Sequence, residues 1–304
     1  MATPRLNIYN AVAANRWRTV ALIAAFTAIV SLLAYFGGEY FAPGAGIAVL
    51  PFALAFSGAS AATSYFAGDK LVLSQSQARE IAPDELPELH NIVETLAIGL
   101  GISPPKLYLI DDTAPNAFAT GRDPKHASLA VTRGLIEKLD RTELEGVIAH
   151  EMSHVVNRDI RVMLLVTVLV GTVALISDAM FRGMWFGGGR RRGGRDNGGA
   201  IIAVIAIALA ILTPIIASLI QLAVSRQREY LADASGALLT RYPPGLANAL
   251  RKIAADPEPL EVANKATASL YIANPLKDRP TFMDGLFDTH PPIAERIKRL
   301  EAMG

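Results

Sequence analysis

The segment His150-Glu151-Met152-Ser153-His154 carries two imidazoles four positions apart. In an α-helix, positions i and i+4 share a face, so both rings can reach one metal ion, and Glu151 points toward the same rim. This H-E-x-x-H spacing suits a zinc site of the hydrolytic kind. Zinc takes neutral imidazoles as ligands, and an adjacent carboxylate can take the proton of a metal-bound water. Five letters recur by chance, but the flanks add weight. Val147-Ile148-Ala149 precede the motif, Val155-Val156 follow it, and no helix breaker lies nearby. Upstream, Thr142-Glu143-Leu144-Glu145 reads as a capping box, so a buried helix is expected to start near Glu143. The plainer alternative is a pair of core histidines around an incidental glutamate.

Composition sets the surroundings of this helix. Of 304 residues, 51% are hydrophobic and only 19% charged, and the mean hydropathy is +0.31. That balance points to a chain partly dissolved in a bilayer. A net charge of +1 gives no reason to expect a nucleic-acid partner. The absence of cysteine excludes disulfides, thiolate metal sites and thiol nucleophiles, leaving His and carboxylates to hold any metal.

Two apolar runs open the chain. Thr19 to Gly38 is uncharged, with Trp17, Tyr35 and Tyr40 near its ends, and a second uncharged run extends from about Ala45 to Gly68. Glu39 is the charge between them, whereas Arg5, Arg16 and Arg18 precede the pair and Lys70 and Arg79 follow it. The positive-inside rule then puts both ends of this hairpin in the cytoplasm. A cleaved signal peptide is the alternative, but the first run is long and a second follows at once.

Residues 69–145 read as soluble. A helix is expected over Pro83 to Gly101, and short strands over 106–110, 116–121 and 127–132. An edge strand of such a sheet could hold an extended peptide by backbone pairing. Beyond the motif, 162–177 and 200–225 are apolar again and flank the basic Gly/Arg run 187–199, which reads as a solvated linker. Four full crossings would put that linker on the outer side, against the charge rule, so a shallow hairpin is the competing reading. The expected architecture is mostly α with a small β-sheet, a zincin-like catalytic domain plus about four transmembrane helices. Its parts are a membrane hairpin (1–68), a catalytic part with the zinc helix (69–161), a second hairpin with the linker (162–225) and a C-terminal catalytic part (226–304).

A catalytic zinc needs a third protein ligand. The chain has five histidines, at 90, 126, 150, 154 and 290. The strongest further candidates are Glu229 and Asp233, four apart in Arg226-Gln227-Arg228-Glu229-Tyr230-Leu231-Ala232-Asp233. One can bind the metal while the other accepts the N–H of a ligand His. A solvated charge cluster is the alternative. His90 and His126 read as structural or surface residues.

Taken together, His-Glu-Met-Ser-His, Ser-Arg-Gln-Arg-Glu-Tyr-Leu-Ala-Asp (225–233), Asn116-Ala117-Phe118-Ala119 and His290-Pro291-Pro292 resemble the HtpX family of membrane-bound zinc endopeptidases, related to the CAAX prenyl protease group. The resemblance covers essentially the whole chain. It implies one Zn2+ per chain on His150, His154 and Glu229, with Glu151 as general base and Asp233 orienting a ligand His. It further implies that Asn116, Ala117, Phe118 and Ala119 line the substrate cleft and that His290 stabilises the oxyanion. Polypeptide substrates, a lipid bilayer as surroundings, the cell inner membrane with a cytoplasmic catalytic domain, and a quality-control or stress-response role on membrane or misfolded proteins follow in the same way. A processing protease for lipidated or short peptides and a non-catalytic membrane scaffold are the competing readings. The Gly/Arg linker is not part of the family's pattern.

Overall fold

The structure is a computed structural model describing residues 8–172, 226–264, 267–276 and 291–303. The expected apolar segment 200–225, the linker 187–199, the end of segment 162–177 and His290 lie outside the described residues.

The chain opens with an antiparallel pair of long helices, α1 (Ile8–Phe41) and α2 (Gly46–Gln75). Within them, Ala13–Phe36 and Gly46–Gln75 are long and apolar enough to cross a membrane. The lone connector charge has a local task. The Glu39 carboxylate accepts the backbone N–H of Gly44 in the turn (2.8 Å) and that of Gly46 (3.1 Å), which α2 leaves without an intrahelical partner at its N-terminus. A third helix, α6 (described over 159–172), runs alongside α1. Leu22 packs on Val162 and Val166, Phe26 on Leu169, and Leu164 lies against Gly68 of α2.

The soluble part is built on a four-stranded sheet of β1 (Arg79–Glu80), β2 (Lys106–Ile110), β3 (Ala117–Gly121) and β4 (Ala127–Thr132). The spatial order is β1-β2-β4-β3, with β2 and β4 parallel and the other two pairs antiparallel. The two-residue β1 is an addition to the three strands expected, too short to carry a sequence signal. Alternation along the strands divides the core. Leu107, Leu109, Ala117, Ala119, Leu129 and Val131 face the helices α3 (Pro87–Leu100), α5 (Arg141–Val156), α7 (Arg226–Thr240), α8 (Pro243–Ala255) and α9 (Ile293–Glu301). Ile110, Phe118 and Ala130 face the other way, toward Val72, Leu73, Leu164 and Tyr271. The short helix α4 (Arg133–Lys138) follows β4, capped by Thr132.

Two helix starts differ from expectation. Helix α3 begins at Pro87 rather than Pro83, because a residue before proline is pushed out of the helical region, as Leu86 is (φ −134°, ψ 69°). The capping box of α5 sits two residues upstream of the Thr142–Glu145 reading: Asp140 accepts the N–H groups of Thr142 and Glu143, and Glu143 accepts the N–H of Asp140. Asp140 is the stronger cap, and the Thr142 hydroxyl merely donates to it.

Two glycines let neighbouring helices approach α5 closely. A Cβ at Gly146 would lie 2.6 Å from the Leu246 nitrogen of α8, and one at Gly236 of α7 would lie 3.0 Å from the His150 nitrogen. The second contact brings the carboxylates of α7 over the imidazoles of α5.

Candidate metal centre

His150 and His154 stand one turn apart on α5, both almost wholly buried, with their Nε2 atoms 3.2 Å apart. Helix α7 lays Glu229 across them: one carboxylate oxygen is 3.7 Å from His150 Nε2, and the other is 3.5 Å from His154 Nε2. Three ligands placed tetrahedrally around zinc at about 2.0–2.1 Å stand roughly 3.3 Å from one another. The separations observed are close to that, and the donor set of two imidazoles and a carboxylate suits zinc.

The far nitrogen of each ring is engaged by its own carboxylate. His150 Nδ1 lies 2.9 Å from Asp233, and His154 Nδ1 lies 3.1 Å from Asp159. Such contacts fix the tautomer that leaves Nε2 free for a metal. Asp233 is held in turn by Arg296 of α9, whose Nε and Nη2 donate to its two oxygens at 2.9 and 2.7 Å while Nη1 donates to the Ile272 carbonyl. Asp159 accepts from Asn15 of α1 (2.7 Å) and Arg228 of α7 (3.3 Å).

Glu151 lies beside this cluster, 2% exposed, and accepts the backbone N–H of Ala119 in β3 at 2.9 Å. Burial pushes its pKa up to about 8; His154 opposes that rise and Glu229 adds to it. Burial, then the Arg296 guanidinium, push His150 down to about 4. Burial also opposes charge on His154, but Glu229, Asp159 and Glu151 outweigh it and raise its pKa to about 9. Both rings face carboxylates, but at His150 the Arg296 guanidinium adds to burial and together they outweigh Asp233.

Residues 83–304 match peptidase family M48. The chain belongs to that family. It is 44% identical over 299 residues to a protein named Protease HtpX homolog from Dictyoglomus thermophilum, covering 97% of this chain and 95% of that one. It is 45% identical over 302 residues to a protein of the same name from Thermoanaerobacter pseudethanolicus, covering 98% and 99%. Among solved structures it resembles S. mikatae Ste24p, with 18% identity and a TM-score of 0.47 over 89% of this chain and 62% of that one. The M48 chain is therefore a membrane-associated metallopeptidase, a hydrolase whose substrates are polypeptides.

The other residues singled out in the M48 sequence are dispersed. Of the Asn-Ala-Phe-Ala segment, the Ala119 N–H meets Glu151, whereas the Phe118 ring points to the opposite face of the sheet and packs edge-on against Tyr271. Asn116 is buried, its amide donating to the Ala273 carbonyl. His126 pairs with Asp123 on an exposed turn, and His90 lies half-buried on α3.

Three residues the sequence reading passed over belong to the centre: Asp159, Arg296 and Asn15. Arg296 left a signal. It lies four residues before Leu300, on the apolar face of the last helix, where a charge needs a buried partner.

Proposed function

We propose that this chain is a zinc-dependent endopeptidase anchored in the cell inner membrane with its catalytic part in the cytoplasm, acting on membrane or misfolded proteins. One observation carries the reading. His150, His154 and Glu229 converge at metal-ligand spacing, with a carboxylate on each far imidazole nitrogen and Glu151 alongside. Glu151 is what a purely structural metal site would not need.

Zinc held by His150, His154 and Glu229 would supply a Lewis acid that activates water and polarises a carbonyl. Glu151 takes the proton of the attacking water and returns it to the leaving amine, a task suited to a carboxylate whose affinity for a proton is raised by burial. The N–H of Ala119 keeps that carboxylate turned toward the centre. Asp233 and Asp159 hold the ligand rings. The substrate adds as an extended strand along the outer edge of β3 from the Ala119 carbonyl onward, because the Ala117 carbonyl is taken by the Ile272 N–H and the Ala119 N–H by Glu151. His290 is assigned to the oxyanion by the family resemblance alone.

The basic residues at the α1 start and α2 end support cytoplasmic placement of the hairpin's ends. The first turns of α6 packed beside α1 support a further crossing and so an architecture of four spans around a zincin-like domain. The division then runs 1–68 hairpin, 69–161 catalytic, 162–225 second hairpin, 226–304 catalytic. The test is metal content and casein cleavage of detergent-purified protein beside Glu151→Gln. About one zinc per chain in both, with chelator-sensitive cleavage lowered at least about 100-fold in the variant, is expected. Undiminished cleavage by Glu151→Gln would overturn the mechanism.

A further inference from the structure

At the end of the membrane hairpin nearest the metal centre lies a cavity whose arginines the peptidase chemistry does not use. It measures about 740 Å³, and its lining includes Asn15, Arg16, Trp17 and Val20 of α1, Arg158 of the α5–α6 turn and Arg161 of α6. Three arginines thus line one space. Among the described residues no carboxylate lines it, and neither Arg16 nor Arg158 has an ion-pair partner. The neighbouring acid, Asp159, is buried and committed to Asn15, Arg228 and His154.

The arginines are placed, not merely numerous. Arg161 is fixed by its Nε, which donates to the Arg122 carbonyl at 2.7 Å, and by the Tyr65 ring beneath it, 5.6 Å from the guanidinium carbon. Arg158 has a φ of 58°, a left-handed conformation that glycine adopts without steric cost and arginine does not.

The setting identifies the kind of anion. Trp17 stands 75% exposed on the rim, at the start of the first apolar span, where tryptophan marks the headgroup level of a membrane. Val20, one turn on, is 53% exposed and begins the apolar surface that an acyl chain would follow. We propose that this cavity binds the phosphate of an anionic membrane lipid. Arg16, Arg158 and Arg161 grip its oxygens, guanidinium forks matching phosphate geometry, and the lipid tail lies along α1 from Val20. Inorganic phosphate offers the same oxygens but not the tail. The inference rests on the membrane placement of α1 and not on the peptidase reading, so its test involves no cleavage.

The full chain in a neutral detergent is titrated with phosphatidylglycerol, phosphatidylcholine or inorganic phosphate. Thermal unfolding and native mass spectrometry are followed for wild type, Arg158→Gly and Arg16→Gln. Phosphatidylglycerol is expected to raise the melting temperature and to leave one retained lipid per chain in the wild type, while phosphatidylcholine does neither. Each variant is expected to weaken that binding roughly five-fold. Arg158→Gly relieves the left-handed strain, so its lipid-free melting temperature should match or exceed that of the wild type, which separates lost binding from lost folding. Equal responses to the two lipids, or a phosphatidylglycerol response unchanged in both variants, would overturn the site. A full response to phosphate alone would assign the cavity to the free anion and overturn the lipid.

Discussion

The two imidazoles of the metal centre are steadied by carboxylates that are themselves steadied differently. Asp159 on His154 is held by hydrogen bonds from Asn15 and Arg228, and Asp233 on His150 is held by the two-pronged grip of Arg296. Removing a carboxylate that orients a ligand histidine lowers metal affinity by about 10–100-fold. Asp159→Ala should therefore weaken zinc binding by that factor in a chelator competition while leaving the helical circular dichroism intact. Arg296 is a different case. It is fully buried, and replacing it by Met strands the Asp233 charge in the core, a loss of about 3–5 kcal/mol. The double variant Arg296→Met with Asp233→Asn should recover much of the stability in denaturant unfolding but not the zinc affinity, because an amide is a weaker partner for His150 Nδ1. These partners also mark the limit of what could be read from the chain. His150, His154, Glu229 and Asp233 were legible because four-residue spacing encodes a shared helix face. Asp159 lies past the turn that ends α5, off the helical spacing, and no local spacing records a contact 63 residues away in sequence such as Arg296 to Asp233.

The same contrast holds for whole elements. Both long apolar helices, the His-Glu-x-x-His helix and three strands were legible because hydrophobic period and turn residues are local properties. The start of α5 was misplaced by two residues because Asp140 and Thr142 are both fair caps, and only the backbone geometry shows which one is used. That cap carries a pH signature. Backbone N–H donation from Glu143, then the Thr142 hydroxyl, hold the Asp140 carboxyl below its ordinary value of 3.8. Its stabilisation is thus fully present above pH 3.8 and is lost as pH falls through the depressed value. Asp140→Ala should cost about 1 kcal/mol at neutral pH, and the difference from wild type should shrink below pH 3.8 in acid unfolding curves. Packing between elements is less forgiving. A Cβ at Gly146 meets the backbone of α8 at Leu246 rather than a side chain that can swing away, so Gly146→Ala must displace α8. A loss of about 1–3 kcal/mol is expected in denaturant unfolding of the detergent-solubilised chain.

Across the whole molecule, the anchor and the metal centre are joined by one amide. Asn15 lies at the start of the first apolar span, is 3% exposed, and donates to both the Asn157 carbonyl (3.1 Å) and Asp159 Oδ1 (2.7 Å). Its side-chain Oδ1 accepts from Arg18. A continuous run of polar contacts therefore leads from the membrane helix through Asp159 to His154. A simple tether would need no such bond, since Leu22 and Phe26 packed on α6 already fix α1 against the helix that follows the motif. Asn15→Ala separates the two roles. It leaves that apolar packing in place and removes one donor from a buried carboxylate, a change worth about 1–3 kcal/mol. Because Arg228 still reaches Asp159, zinc affinity should fall by less than in Asp159→Ala, roughly three- to ten-fold. Chelator competition on the two purified variants reads both values under one condition. If Asn15→Ala lowers the melting temperature and leaves zinc affinity at the wild-type value, the anchor stabilises the fold without reaching the metal. A fall in both means that the state of the membrane helix is registered at the ligand His154 itself.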